Sequence, residues 1–125
     1  MTVDPTQPYD SENIFAKILR GEIPCNTVYE DDHALAFHDI NPQADIHILV
    51  IPKGEYVSWD DFSAKASETE IAGFVRAVGH VAREQGLVVR GYRLLGNVGR
   101  NGGQEVPHLH VHLFGGGPLG PMLAR

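Results

Sequence analysis

The chain has 125 residues, enough for one hydrophobic core and short for two, so we expect a single domain. Ten basic residues against sixteen acidic ones argue against a protein that binds a nucleic-acid backbone. The sequence has neither a membrane-spanning apolar stretch nor a secretory signal, and its single cysteine cannot form an intrachain disulfide, so we expect a cytoplasmic protein without a membrane partner.

The first part of the chain predicts an arm, a short helix and three strands. Residues 1–9 contain two prolines and little apolar periodicity, and we expect a flexible N-terminal arm. A helix is expected from Asn13 to about Arg20, capped by Asp10 or Ser11. Three runs rich in β-branched and aromatic residues then predict an antiparallel meander, at residues 27–31, 34–40 and 47–53.

A long amphipathic helix is predicted next, from Ser67 to Gln85. Ser67 and Glu70 form a capping box, and Gly86 is expected to end the helix. Its apolar stripe consists of Ile71, Phe74, Val75, Val78, Val81 and Ala82. Two glycines inside it, Gly73 and Gly79, weaken a helix and suggest close packing on the sheet.

Two further strands complete the expected fold. They cover residues 92–98 and 108–114 and flank a glycine-rich loop at 99–104. Five strands with short connections predict an α+β domain, in which an antiparallel five-stranded sheet carries two helices.

The last strand has a histidine at every second position. Because successive side chains of a strand point to opposite faces, His108, His110, His112 and Phe114 are expected to share one face. The apolar residues between them are expected to pack on the long helix. The imidazoles therefore line a site on the other side of the sheet.

One use of such imidazoles is to bind a metal ion. The Cα atoms of His108 and His112 are about 13 Å apart on a strand, too far to ligate one zinc ion together. Two neighbours could do so with a further ligand such as His47, but H-E-x-x-H and paired C-x-x-C patterns are absent. We expect no metal and no other cofactor.

The other use is nucleophilic catalysis. A neutral imidazole can attack phosphorus when one nitrogen presents its lone pair and an acceptor holds the other N–H. The glycine-rich loop offers backbone amides to a phosphate, and Asn97, Gln104 and His112 are candidate side-chain donors. The pattern favours phosphoryl or nucleotidyl transfer.

These residues resemble the histidine triad (HIT) family, whose signature alternates three histidines with apolar residues, as in HLHVHLF at 108–114. The segments NIFAKILRGEIP, VYEDDHALAFHDINPQADIHILVIPK and GYRLLGNVGRNGGQ are similar to those of its nucleotide-binding (Hint-type) branch. The resemblance implies a HIT domain over residues 10–117, a C-terminal tail over 118–125, and a homodimer in which two subunits join their sheets.

The resemblance also implies a purine nucleoside phosphoramidate or nucleotidyl hydrolase, which releases a nucleoside monophosphate from a nucleotidyl-histidine. His110 matches the nucleophile, and His112 the donor to the phosphate or leaving group. His108, through its carbonyl, and His47 match the groups that orient the nucleophile.

The implied nucleotide-binding residues have three tasks. Asp39, with Ile40 beside it, matches the residue that takes the ribose hydroxyls, although a turn role is the rival reading. The phosphate is lined by Asn97, Gly103, Gln104 and Glu105, the last through its backbone N–H. The base pocket is matched by Ile14, Phe15, Ile18 and Leu49, although core packing is the default reading of these four residues. Phe37 lies on the strand face of Asp39, and a core role explains it equally well.

Two other functions stay open. They are dinucleoside polyphosphate hydrolysis and nucleotide binding by a regulatory module without turnover. His112, where a transferase branch carries Gln, favours the hydrolase branches. The choice of phosphoramidates rests on the longer similarity to the Hint-type branch, because the histidine motif alone fits both hydrolases.

Overall fold

The computed structural model describes residues 2–123, which form one five-stranded antiparallel sheet with four helices. The helices are α1 (Ile14–Leu19), α2 (Trp59–Lys65), α3 (Glu68–Glu84) and α4 (Gly99–Gly102). The strands are β1 (Thr27–Glu30), β2 (Ala34–His38), β3 (Ile46–Pro52), β4 (Arg93–Gly96) and β5 (Val111–Gly115), in the order β1-β2-β3-β5-β4. The expected α+β class and antiparallel sheet are confirmed, with four helices in place of the expected two.

The two additional helices are short and polar. Helix α2 begins at a capping box, in which Ser58 accepts from the Asp60 N–H and the Asp61 carboxylate accepts from the Ser58 N–H. It has seven residues and buries only Phe62, so it is too short for an apolar period to identify it in the sequence. Helix α4 is a single turn within the glycine-rich loop. No helix among residues 2–123 has both the length and the apolar character needed to cross a membrane.

The sheet separates two groups of buried side chains. Helix α3 packs on β2 and β3, where Ala34 and Ala36 join Phe74 and Val81 in the larger core. The intervening residues of β2 point to the other face, in a smaller cluster that consists of Phe15, Leu35, Phe37, Leu49 and Ile51. Leu109, Val111 and Leu113 belong to the larger core, as their alternation with the histidines predicts.

The helix ends confirm part of the sequence analysis and correct part of it. Ser67 and Glu70 make the expected capping box, and Gly86 ends α3 with a φ of 70°. Val75 is 54% exposed and lies outside the buried stripe, where Ala77 is buried instead. Helix α1 is capped by Asn13 itself, which accepts from the Ala16 N–H, and not by Asp10 or Ser11.

Residues of both terminal segments contact the rest of the domain. The N–H of Val3, a buried residue, donates to the carbonyl of Gln104, and Tyr9 contacts His108. These contacts give the N-terminal arm specific attachments that the expectation of a flexible arm does not include. In the tail, the Arg93 guanidinium donates to the carbonyls at 120 and 121. Met1, Ala124 and Arg125, the outermost residues of the expected arm and tail, lie outside the described residues.

The two glycines of α3 have different surroundings. A Cβ built on Gly73 would lie 2.4 Å from ring atoms of His33, which precedes β2. The atoms nearest to a Cβ on Gly79 belong to the guanidinium of Arg83, the first of them at 3.2 Å. The expected close approach is therefore real at Gly73, where the neighbour is His33, and it is absent at Gly79.

This difference predicts opposite effects of two alanine substitutions. Gly73→Ala is expected to lower the free energy of unfolding by about 1–3 kcal/mol, because the methyl group would overlap the His33 ring. Gly79→Ala is expected to raise it by up to about 1 kcal/mol, because alanine favours a helix and the Arg83 side chain can move. Urea denaturation of both variants measures these effects. Equal changes in the two variants would contradict the packing described for Gly73.

Candidate active site

Four histidines converge on the sheet face opposite α3. The pairing of β3 with β5 places His112 beside Leu49 and His47 beside Phe114. The ring centroids of His110 and His112 are 5.1 Å apart, and those of His47 and His112 are 5.2 Å apart. His108 and His110 lie immediately before β5 and not within it. The structure thus brings together the four histidines that the sequence analysis selected.

His108 is a fully buried ring with a partner at each nitrogen. Its Nε2 lies 2.9 Å from the Pro52 carbonyl oxygen, which can only accept, so Nε2 carries a proton. Burial lowers the pKa of His108 to about 4, and the ring is therefore neutral at neutral pH. Its Nδ1 must then accept from the Tyr9 hydroxyl, 2.6 Å away.

His110 has one nitrogen held and one nitrogen free. Its Nδ1 lies 2.8 Å from the His108 carbonyl oxygen and donates to it. Burial lowers the pKa of His110, which favours a neutral ring with its lone pair on Nε2. Every buried side-chain nitrogen or oxygen among residues 2–123 has a hydrogen-bond partner, whereas Nε2 of His110 has none. This nitrogen must therefore reach the surface of the site.

His47 and His112 form a second directed pair. The backbone N–H of Gln43 donates to Nδ1 of His47, so the neutral His47 ring carries its proton on Nε2. That Nε2 lies 2.9 Å from Nδ1 of His112 and donates to it. Burial is the main cause that lowers the pKa of His47, and it lowers the pKa of His112 to about 4. Neutral His112 therefore presents an Nε2–H, and no partner for it occurs within residues 2–123.

Asp39 follows β2 and combines a turn role with a place in the site. One carboxylate oxygen accepts from the Asn41 N–H at 2.8 Å, as the turn reading predicts. The other lies 3.5 Å from Nε2 of His47, and the side chain is 20% exposed. The carboxylate thus borders the histidines and is accessible to a ligand.

Asp39, His47 and His112 also each offer a potential metal ligand, with the three atoms within 4.8 Å of one another. A histidine that binds a metal usually donates its other N–H to an acceptor. Here Nδ1 of His47 faces the Gln43 N–H, which leaves the proton on Nε2. The hydrogen bonds around His47 therefore favour a proton between the rings over a metal ion.

Of the residues predicted to line the phosphate, some hydrogen-bond within the protein and others have an unused donor. The side chain of Gln104 is 1% exposed, donates to the carbonyls of Val57 and Val106, and accepts from the Gly99 N–H. Its backbone N–H donates to Gly99, so Gln104 has no donor left for a phosphate. The Asn97 amide donates to the carbonyl at 102. The Glu105 N–H, in contrast, has no partner within residues 2–123.

The apolar residues predicted to contact the base are either packed in the core or exposed. Phe15, Phe37 and Leu49 are buried in the smaller cluster, with Ile18 packed against it, so core packing is the main role that their contacts show. Phe15 also places its ring edge-on against His110, with centroids 5.0 Å apart. Ile14 and Ile40 are 45% and 89% exposed, and these two side chains are available to a ligand.

Two groups of this site escaped the sequence analysis. Tyr9 stands in a polar, proline-containing segment, and only its aromatic ring could have drawn attention to it. Gln43 acts through its backbone N–H, which leaves no trace in the side-chain pattern. Tyr9 hydrogen-bonds to Nδ1 of His108 and Gln43 to Nδ1 of His47, two histidines that the sequence analysis did select.

Comparison with known proteins agrees with this geometry. Residues 20–119 match the family model described as HIT domain. The chain is 65% identical over 117 residues to a HIT-like protein of Azospirillum brasilense, and the aligned region covers 94% of this chain and 96% of the relative. It is 49% identical over 114 residues to the purine nucleoside phosphoramidase of Escherichia coli, which covers 91% of this chain and 95% of that enzyme. The structure of a histidine triad protein from Clostridium difficile superposes with a TM-score of 0.83 at 40% identity and covers 93% of this chain and 100% of that one.

The buried neutral histidines predict that acid destabilises the fold. A histidine whose pKa is lower in the folded than in the unfolded chain stabilises the fold above about pH 6.5, and that stabilisation is lost as the pH falls towards the folded pKa. For His108, whose folded pKa is about 4, the loss by pH 4 is about 3 kcal/mol. Urea denaturation between pH 7.5 and pH 4 measures it.

A free energy of unfolding that stays constant between pH 7 and pH 4.5 would contradict the description of the histidines as buried and neutral.

Proposed function

The chain belongs to the HIT family, and from that premise we propose that it hydrolyses purine nucleoside phosphoramidates through a nucleotidyl-histidine intermediate. The observation that carries the proposal is the state of His110. Its Nδ1–H is held by a carbonyl, and its Nε2 is unpartnered and accessible. A neutral imidazole in this state is a nucleophile with a fixed direction of attack.

In the first step, Nε2 of His110 attacks the α-phosphorus. The Nε2–P bond forms, the P–N bond to the leaving amine breaks, and its electron pair goes to the amine nitrogen, which takes a proton. His112 presents its Nε2–H on this face, with its ring centroid 5.1 Å from that of His110, and an anionic phosphate beside it favours the protonated ring. We therefore assign the proton to His112, as general acid.

In the second step, water attacks the phosphorus of the nucleotidyl-histidine. The O–P bond forms, the Nε2–P bond breaks, and the proton of the water returns to His112. The products are a nucleoside monophosphate and neutral His110. Neither step changes an oxidation state, and the histidines and water account for every electron pair and proton in the scheme.

The substrate class rests on two kinds of support. The E. coli relative is named a purine nucleoside phosphoramidase, and it spans nearly the whole chain. Within the site, the carboxylate of Asp39 is a candidate for the ribose hydroxyls, and exposed Ile14 and Ile40 are candidates for contact with the base. The Glu105 N–H, which has no partner within residues 2–123, is a candidate donor to the phosphate. A cytoplasmic location also belongs to the proposal, since Cys25 is an unpaired thiol.

We also propose that the protein is a homodimer. Strand β4 has one sheet neighbour, so its other edge is open to a strand of a second copy. Beside it lies an apolar hollow of about 600 Å³, lined in part by Trp59, Val75, Leu94 and Val98. These four side chains are each more than a third exposed, as expected of a surface that another chain covers.

Release of AMP from adenosine 5′-phosphoramidate tests the nucleophile. His110→Ala is expected to lower kcat/KM by a factor on the order of 10³ or more, because the attacking atom is lost. His38→Ala, which removes an exposed histidine, serves as the matched control and should retain wild-type activity. A chelator should leave the rate unchanged.

Other outcomes of this assay separate the alternatives. Activity that a chelator abolishes and added metal restores would replace the proposal with a metal hydrolase. Faster cleavage of diadenosine polyphosphates would favour the polyphosphate hydrolase. Binding of AMP without turnover of either substrate would favour the regulatory nucleotide-binding module.

The role of His112 predicts a dependence on the leaving group. With an amine leaving group, His112→Asn should lower kcat/KM by a factor of about 10²–10⁴, because a general acid is lost. With the 4-nitrophenyl ester of AMP, whose phenolate leaves without a proton, the loss should be much smaller. Steady-state kinetics with both substrates provide the comparison. Equal losses would show that His112 acts on the phosphate oxygens instead.

A further inference from the structure

Tyr9 connects the N-terminal arm to the first histidine of the motif. Its hydroxyl lies 2.6 Å from Nδ1 of His108, and its ring stands edge-on to the imidazole, with centroids 5.6 Å apart. The arm has a second attachment through the Val3 N–H, which donates to the Gln104 carbonyl. Through Tyr9 and Val3, the arm therefore contacts both the histidine segment and the loop before it.

The partner at Nε2 of His108 determines which group donates in the hydrogen bond between Tyr9 and Nδ1. The Pro52 carbonyl can only accept, so Nε2 of His108 is protonated and Nδ1 is the acceptor. The hydroxyl of Tyr9 is then the donor. His108 is fully buried, and without Tyr9 its Nδ1 would have no partner within the described chain.

The His108 ring is thus fixed between the arm and the end of β3. The backbone of the same residue supplies the carbonyl that accepts from Nδ1 of His110. A ring that turned or moved at 108 would displace this carbonyl and loosen the orientation of His110. Small displacements of reacting groups have large kinetic effects, on the order of 10²-fold for 1 Å.

We propose that Tyr9 is a positioning residue of the active site, which holds His108 in one tautomer and, through its carbonyl, holds His110 ready for attack. This inference rests on the proposed function of His110. It makes the N-terminal arm part of the catalytic unit, although the arm contributes no atom to the reaction itself.

The test compares Tyr9→Phe with Tyr29→Phe. Tyr29 also uses its hydroxyl in a half-buried hydrogen bond, with the Asp31 carboxylate at 2.8 Å, but it lies on β1 at the far edge of the sheet. Tyr9→Phe should lower kcat for adenosine 5′-phosphoramidate by roughly 10- to 100-fold with little change in KM. Tyr29→Phe should leave both constants close to those of the wild type.

Imidazole ¹⁵N spectra of the same proteins provide a second readout, which needs no substrate. In the wild type, Nδ1 of His108 should have the chemical shift of a hydrogen-bonded acceptor nitrogen, and Nδ1 of His110 that of a protonated one. Tyr9→Phe should move the His108 Nδ1 resonance towards that of a free acceptor, whereas Tyr29→Phe should not. Thermal unfolding of both variants confirms that the compared proteins are folded.

A wild-type kcat in Tyr9→Phe, a loss equal to that of Tyr29→Phe, or an unchanged His108 Nδ1 resonance would each overturn the proposal. If the wild type cleaves no phosphoramidate, the proposed function fails and the spectra alone decide. In that case, unchanged His108 and His110 resonances in Tyr9→Phe would overturn the positioning role as well.

Discussion

The hydrogen bond from Nδ1 of His110 to the carbonyl of His108 is the constraint on which the site depends. Burial keeps the ring neutral, so it has a single N–H, and the carbonyl determines which nitrogen carries it. The fold makes this carbonyl available because β5 begins only at Val111, and the ladder with β3 ends at the same residue. A regular strand through 108 would direct the carbonyl to a neighbouring strand instead.

The remainder of the site extends the same principle to a second ring. The Gln43 N–H determines which nitrogen of His47 is protonated, and His47 determines the same for His112. His110 therefore presents a lone pair, and its neighbour His112 presents an N–H. The two directions suit a nucleophile and a proton donor. The larger core with α3 lies on the opposite face of the sheet, and the histidines share their own face with the smaller apolar cluster.

The sequence was sufficient where one local rule decides the structure. Strand alternation separated Leu109, Val111 and Leu113 from the histidines, and the capping box predicted the start of α3. The sequence was insufficient where a side chain suits both a contact with a ligand and a contact within the protein. Gln104 beside a glycine-rich loop has the composition of a phosphate donor, yet every one of its donors is used to brace the loop. Helix α2 was missed because seven residues are too few to show a helical period. The contact of Tyr9 with His108 depends on tertiary structure across 99 positions.

The nucleotidyl-histidine is tested most directly by a single turnover with adenosine 5′-phosphoramidate. The reaction is quenched in alkali, where a P–N bond to histidine survives, and the peptides are analysed by mass spectrometry. We predict a transient adenylyl group on the peptide that contains residues 108–112, located on His110 and absent from His110→Ala. Turnover at the wild-type rate without such an adduct, or an adduct on His112, would contradict it.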